Sequence, residues 1–364
     1  MDEPLDKPLA PPCHGGLLED ELTAVGLRAD QVLDLSVNVN PYGPHDSIRR
    51  AIAEAAVDRY PEPSSGPARR AIAALLDVDS NRIVLGNGAV DLLWSLARAW
   101  LRPGDAVMIL EPAFSEMRRA ATQVGARIVE HRTAPHDDFK LHLGALDAHL
   151  QSACPRLLYL CTPSNPTGAC TPLRSLEELA VRHPGTLFVC DISFLSLSSR
   201  HEDASVPLSD RLVWACSLTK DHALAGLRVG YALAPAKVAA RIEAERPPWS
   251  VNALAQAAAI AATQPDARRF VDESRERLLR DRAYLDSALR RLDLRVHPSD
   301  TIYTLVDIGA ARVATELRRQ LLVHHAVLVR DASSFGLPHH IRVAARPAPD
   351  TDRLIAALNR ELHP

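Results

Sequence analysis

Ser217-Leu-Thr-Lys220-Asp-His-Ala-Leu-Ala-Gly226-Leu-Arg228-Val-Gly230 is the stretch around which the rest of this chain is organised. A strand-like apolar run, 212–215, delivers it, and a second one, 229–233, carries the chain away. Small hydroxyl residues precede Lys220 and small apolar ones follow, which leaves room for a flat anionic molecule to reach the amine. Arg228 comes after Gly226, a residue that permits a sharp turn, so both cations can converge on one anion. An amine that condenses with an aldehyde while an arginine holds the same molecule's phosphate uses this layout. The alternative is a surface lysine and a surface arginine around a loop, and the flanking sequence has to decide.

Outward from this stretch, short apolar runs alternate with helical patterns. Strands are expected at 83–85, 106–110, 127–130, 157–161, 187–191, 212–215 and 229–234. Helices are expected at 47–57, 68–76, 90–101, from 116, at 175–182 and at 238–245. This rhythm predicts an α/β fold, with a large domain whose mostly parallel central sheet is covered by helices. Ligands on such sheets sit beyond the carboxyl ends of the strands. The segments around Gly88, Phe114, Asn165, Asp191 and Lys220 all fall there, so five distant loops are expected to share one cleft.

Pro247-Pro-Trp-Ser250 interrupts the pattern, and long helices follow at 251–263 and 267–292. Strands at 302–308, 326–330 and 341–344, with helices at 313–322 and 351–362, then predict a smaller α+β domain. Residues 1–45, rich in Pro and Gly, read as an extended arm. The expected division is an arm (1–45) serving the small domain and the active site, a large ligand-binding domain (46–264), and a bridging helix with a small carboxy-terminal domain (265–364).

Composition excludes several classes. Forty-two basic against 45 acidic residues leave a formal charge of −3, so no bulk binding to nucleic acid or membrane is expected. No run of 18 apolar residues and no basic-then-apolar leader occurs, which points to the cytoplasm. The six cysteines lack CxxC or zinc spacing and are expected as reduced thiols where they fall in apolar runs; His324-His325 and His339-His340 have no carboxylate or cysteine companion at metal spacing, so no metal is expected.

Individual residues carry chemistry. Asp191 ends an apolar strand, where a buried acid needs a partner: a protonated heterocyclic nitrogen, or a loop that it caps. Gly86-Asn-Gly88-Ala89-Val90 opens a helix whose free N–H groups can face an anion, or it merely connects. In Thr162-Pro-Ser-Asn165-Pro-Thr-Gly168 the Asn165 amide either donates to a phenolate-type oxygen or forms a turn. Phe114 stacks on an aromatic ligand or packs in the core. Arg342, in the apolar run Ile341-Arg-Val-Ala-Ala345, is a clamp for a carboxylate or phosphate, or half of a structural ion pair.

In combination and in this order, these segments resemble the fold type I pyridoxal-phosphate enzymes, the class I and II aminotransferase superfamily, over nearly the whole chain. Within it the chain looks most like the branch shared by histidinol-phosphate aminotransferase and threonine-phosphate decarboxylase. The resemblance implies pyridoxal 5'-phosphate as cofactor. It implies Lys220 as the residue that binds the cofactor covalently and shuttles protons, and Asp191 as partner of the pyridine nitrogen. Asn165 would hold the ring oxygen, Phe114 the ring face, and Ala89, Val90, Ser217, Thr219 and Arg228 the phosphate. Tyr60, in Arg59-Tyr-Pro, matches a tyrosine that reaches the neighbouring subunit's cofactor phosphate, which implies a homodimer with shared sites.

Several motifs lean toward the decarboxylase: Cys13-His14-Gly-Gly16, Asp34-Leu-Ser-Val-Asn-Val-Asn40-Pro, Pro248-Trp-Ser-Val-Asn and Val329-Arg330-Asp331. Phe194 stands where typical aminotransferases carry a tyrosine. The likeness implies a small phosphorylated amino-acid or amino-alcohol substrate. Arg342 is expected to hold its carboxylate, and His14, Arg330 and Arg346 its phosphate, with Asn40 and Tyr303 also in the site. Departures are Asp191-Ile-Ser-Phe194 in place of Asp-Glu-Ala-Phe or Asp-Glu-Ala-Tyr, and Thr301-Ile-Tyr303 in place of Ala-Asn-Phe.

Overall fold

Residues 14–205 and 210–363 are described by the computed structural model; Cys13, which opens the His-Gly-Gly motif, lies outside them. Among its described residues the arm carries a short helix, Glu19–Ala24, a 3-10 turn, Ala29–Gln31, and a two-residue strand, β1 (Leu33–Asp34). The central sheet follows: β2 (Ile83–Gly86), β3 (Ala106–Glu111), β4 (Arg127–Arg132), β5 (Leu157–Cys161), β6 (Leu187–Asp191), β7 (Leu212–Ser217) and β8 (Gly230–Leu233). Its order is β2-β8-β7-β6-β5-β3-β4. Only β8 runs against its neighbours, so the sheet is mostly parallel, as expected.

The sequence explains the strand positions. In β5 and β6 every residue is buried, as a central strand covered on both faces requires. Period-two alternation then sorts the side chains. Leu158, Leu160, Phe188 and Cys190 face one apolar cluster, while Leu157, Tyr159, Leu187 and Val189 face the other. At the edge, β4 carries Arg127, Glu130 and Arg132 and is half exposed, which protects the open strand from pairing with another chain.

A second sheet, ordered β12-β13-β10-β9, is antiparallel throughout. It consists of β9 (Arg295–Val296), β10 (Tyr303–Asp307), β12 (Arg330–Asp331) and β13 (His340–Ala344). The run at 326–330, expected as one strand, is split. Its first part, β11 (Val327–Leu328), pairs in parallel with β1 of the arm, and its second joins β13. The long helix Pro265–Arg290 touches both the Leu195–Leu197 turn after β6 and the last helix, Ala348–Leu362. Helix Leu143–Ala153 was not expected; it buries Leu146 and Leu150 against the sheet. Among the described residues no helix is long and apolar enough to cross a membrane.

Register levels the strand ends that matter. Cys161 lies opposite Asp191, and Asp191 opposite Ala215. Ser217 lies opposite Gly230, which also faces Gly86. The carboxyl ends of β5, β6 and β7 therefore form one shelf, with Lys220 in the short helix Leu218–Asp221 just above it. Phe188, fully buried in the middle of the sheet, tests this core. Replacing it with alanine should cost about 3–5 kcal/mol, read as a lower denaturant midpoint with an unchanged slope.

Candidate active site

A cavity of about 470 Å³ opens above the shelf. Lys220, Asp191, Asn165 and Phe114 line it, as do Ala89, Val90, Ser217, Thr219 and Arg228. All five loops expected at the strand ends therefore meet. His14, Arg330 and Arg342 line its remaining side.

Lys220 is largely buried. Burial first, then the nearby Arg342 and Arg228 charges, lower its ammonium pKa to about 8, with Asp191 opposing. Asp191 is pushed the other way: burial raises its carboxyl, against hydrogen bonds from Ser193 and Tyr159 and the charge of Lys220. The Ser193 N–H donates to Oδ1 at 3.0 Å, and the Tyr159 phenol donates to Oδ2 at 3.3 Å. A buried amine of lowered basicity thus faces the same cavity as a buried acid that gains from meeting a cation.

At one end lies an anion cradle. The helix Gly88–Trp100 begins with no side-chain cap, and its first-turn residues Ala89 and Val90 line the cavity. Ser217 Oγ and Thr219 Oγ1 are 2.6 Å apart beside it. A Cβ on Gly88 would come within 2.8 Å of the Arg228 guanidinium, and one on Gly230 within 2.6 Å of the Cys216 carbonyl and 2.8 Å of the Ala89 nitrogen. Both positions need glycine for close approach. The turn that aims Arg228 is not made by Gly226, as the sequence suggested; Arg228 itself takes the left-handed conformation, with φ of 56°.

Arg342 closes the opposite side. It donates to the Asn165 amide oxygen and, at 2.6 Å, to the Ser36 carbonyl of the arm. The Asn38 amide, oriented with its oxygen toward Arg342, accepts at 3.2–3.3 Å. Burial lowers the Arg342 guanidinium pKa to about 10. Arg330 is its register partner on β12; it donates to Ser334 Oγ at 2.6 Å and lies 5.1 Å over the Phe335 ring. Beyond it His14 Nε2 is 3.2 Å from Glu116 Oε1, a carboxylate that also accepts from Trp94 Nε1 at 2.8 Å and Arg119 at 3.1 Å.

Four expected residues do not line the cavity. Tyr303 is fully buried; its phenol donates to the Ser164 carbonyl at 2.7 Å and its ring lies under Arg342 at 5.4 Å, so it backs the arginine. Arg346 reaches the backbone carbonyls of Asp34, Val37 and Val39, which makes it a brace for the arm. The Asn40 side chain donates to the Asp221 carbonyl at 2.9 Å, latching the arm to the lysine helix. Tyr60 is 80 % exposed, 4.9 Å from the Trp249 ring.

Glu116, Arg119, Trp94, Ser36 and Asn38 went unread in the sequence. Glu116 and Arg119 have the i,i+3 spacing of an ordinary exposed helical pair, and only the fold buries the carboxylate. The fold also gives His324-His325 the carboxylate absent from the local sequence: Glu361 Oε1 lies 2.9 Å from His324 Nδ1 and 2.8 Å from His325 Nε2.

A family model described as aminotransferase class I and II matches residues 30–360. The histidinol-phosphate aminotransferase of Symbiobacterium thermophilum is 33% identical over 98% of this chain and 96% of its own. The threonine-phosphate decarboxylase of Salmonella typhimurium is 34% identical, over 96% of each chain. Among solved structures, histidinol-phosphate aminotransferase from Sinorhizobium meliloti, in complex with pyridoxal-5'-phosphate, superposes with a TM-score of 0.85 at 25% identity, covering 98% of this chain and 95% of that one.

The lowered basicity of Lys220 has a measurable sign. In protein free of any ligand, trapping of this amine by a small aldehyde and borohydride should rise through about pH 8 and then level off, because the neutral amine reacts. Arg228→Gln, which removes a neighbouring cation, should move that midpoint upward.

Proposed function

The chain belongs to the aminotransferase class I and II family, and from that premise we propose that it decarboxylates L-threonine O-3-phosphate, or a close phosphorylated amino acid, to the corresponding amino-alcohol phosphate. Pyridoxal phosphate is its cofactor, and the residues present suit that molecule. The glycine-lined cradle has a helix N-terminus, two hydroxyls and Arg228 for a phosphate. The buried Asp191 carboxyl suits a ring N–H⁺, and Lys220 suits an aldehyde. When bound, the cofactor supplies a protonated ring that draws electrons from the substrate's Cα.

In this reading Lys220 holds the aldehyde carbon and moves protons at Cα, while Asp191 keeps the ring nitrogen charged. Asn165 donates to the ring oxygen and Phe114 covers the ring face. Which Cα bond breaks depends on where the substrate's carboxylate is held relative to the ring. Arg342 is fixed by Asn165, Ser36 and Asn38, so it can hold that carboxylate in one place without moving.

One observation carries the choice of substrate. Arg330 and Arg342 are register partners, and both face the cavity. Two buried guanidiniums side by side repel each other, and a short molecule with two anionic groups relieves that repulsion. Threonine phosphate carries a carboxylate and a phosphate on adjacent carbons; histidinol phosphate carries one anion and an imidazole. Phe194 supports the same reading, since Asn165 is left as the ring-oxygen donor where typical aminotransferases add a tyrosine phenol.

The second reading, histidinol-phosphate aminotransferase, is favoured by a relative of that name at 33% identity. Both readings include a homodimer: Tyr60 and Trp249 form an exposed aromatic pair outside this chain's cavity, suited to reaching a neighbouring copy's phosphate cradle.

Incubation with threonine phosphate should release carbon dioxide, and incubation with histidinol phosphate and 2-oxoglutarate should yield no glutamate. Glutamate without carbon dioxide would sink the decarboxylase reading. Lys220→Ala should lose the borohydride-reducible cofactor adduct and lower the rate at least a thousandfold, by about 4 kcal/mol or more of barrier.

A further inference from the structure

Glu116 is an acid in a place otherwise built from anion-binding groups. It is 4 % exposed, lines the cavity, and accepts from Trp94 and Arg119 while facing His14. A buried carboxylate beside a phosphate subsite repels the ligand and persists only if it serves its donors. We propose that Glu116 sets the charge of His14, so that the far end of the cavity takes up a dianion together with one proton. This deepens the reading that the substrate's phosphate binds there, and rests on it.

The groups facing His14 come from three elements. Glu116 and Arg119 come from the helix Glu116–Gln123, Arg330 from β12, and the Phe114 ring, 5.4 Å away, from the loop before that helix. Protonating His14 adds a positive charge where the dianion would sit, with Nε2–H toward Glu116 and Nδ1–H toward the ligand. In the empty cavity, burial outweighs the pull of Glu116, and Arg330 and Arg119 add to it, so the imidazole stays neutral. A dianion offsets the two arginines and leaves Glu116 to hold the proton. A monoanion such as a carboxylate needs no such proton, and the device therefore favours phosphate monoesters.

Sulfate is the suitable probe, because its charge does not change near neutral pH. The enzyme is loaded with pyridoxal phosphate, which fills the cradle at the other end. Calorimetry in two buffers of different ionisation heat, slightly above neutrality, should find about one proton taken up per sulfate bound. Affinity should fall roughly tenfold per pH unit between the free-state and bound-state pKa values of His14, and level off above the latter. Glu116→Gln retains an acceptor for Trp94 and Arg119; it should still bind sulfate, with no proton uptake and little pH dependence. His14→Gln, a change at a half-exposed arm residue, should lose the uptake too.

Sulfate binding without proton uptake in the unmodified enzyme, or full uptake in Glu116→Gln, would overturn the proposal. If Arg330→Gln still weakens sulfate at least tenfold in that case, the phosphate reading stands and only the proton linkage fails. If Arg330→Gln leaves sulfate binding unchanged and sulfate does not compete with threonine phosphate, both fall.

Discussion

The guanidinium of Arg342 joins three parts of the chain that are far apart in sequence. Its donors reach Asn165 above the central sheet and Ser36 in the arm, while its own backbone belongs to β13 of the second sheet. A fully buried Arg is tolerable only when its N–H groups are matched, and here the acceptors come from both other parts. Tyr303 underneath leaves the side chain no lower position to collapse into. The geometry of the cavity follows from that satisfaction: the arm and the second sheet are held where they wall the space above Lys220. Arg346 and Asn40 add to the same fastening, one bracing the arm's carbonyls and the other tying it to the lysine helix.

Much of this was readable in the sequence, for physical reasons. Lys220, Asp191, Asn165 and Phe114 sit in loops that follow apolar runs, and a parallel sheet sends all such loops to one side. Local pattern therefore placed them together. Tyr303, Arg346 and Asn40 were expected in the site, but their roles depend on what lies opposite them across the fold, which no local pattern states. Glu116 shows the converse: its i,i+3 spacing to Arg119 is that of an ordinary exposed pair, which drew no reading, yet Trp94 and His14 enclose it. Gly226 was the obvious turn former, but Arg228 makes the turn itself, since what mattered was the direction of its side chain toward Gly88.

The two readings of the chemistry differ by less than their names suggest. Both use the same amine, acid, amide and phosphate cradle, and the bond that breaks is chosen by the donors that hold the rest of the substrate. The distinction therefore lies with the arm and the second sheet, where Arg330 and Arg342 sit next to each other across a strand pair. The central sheet, with its levelled strand ends, is indifferent to the outcome.

The contact between Ser36 and Arg342 spans 306 residues. A chain emerging from the ribosome presents the lysine loop long before β13 exists, and until that strand is made Asn40 can tie the arm to the lysine helix while Ser36 has no Arg342 to meet. Lys220 and its strand-end neighbours are thus made first, and an unfinished chain that stops before β13 carries them without the buried Arg342 that joins arm, central sheet and second sheet.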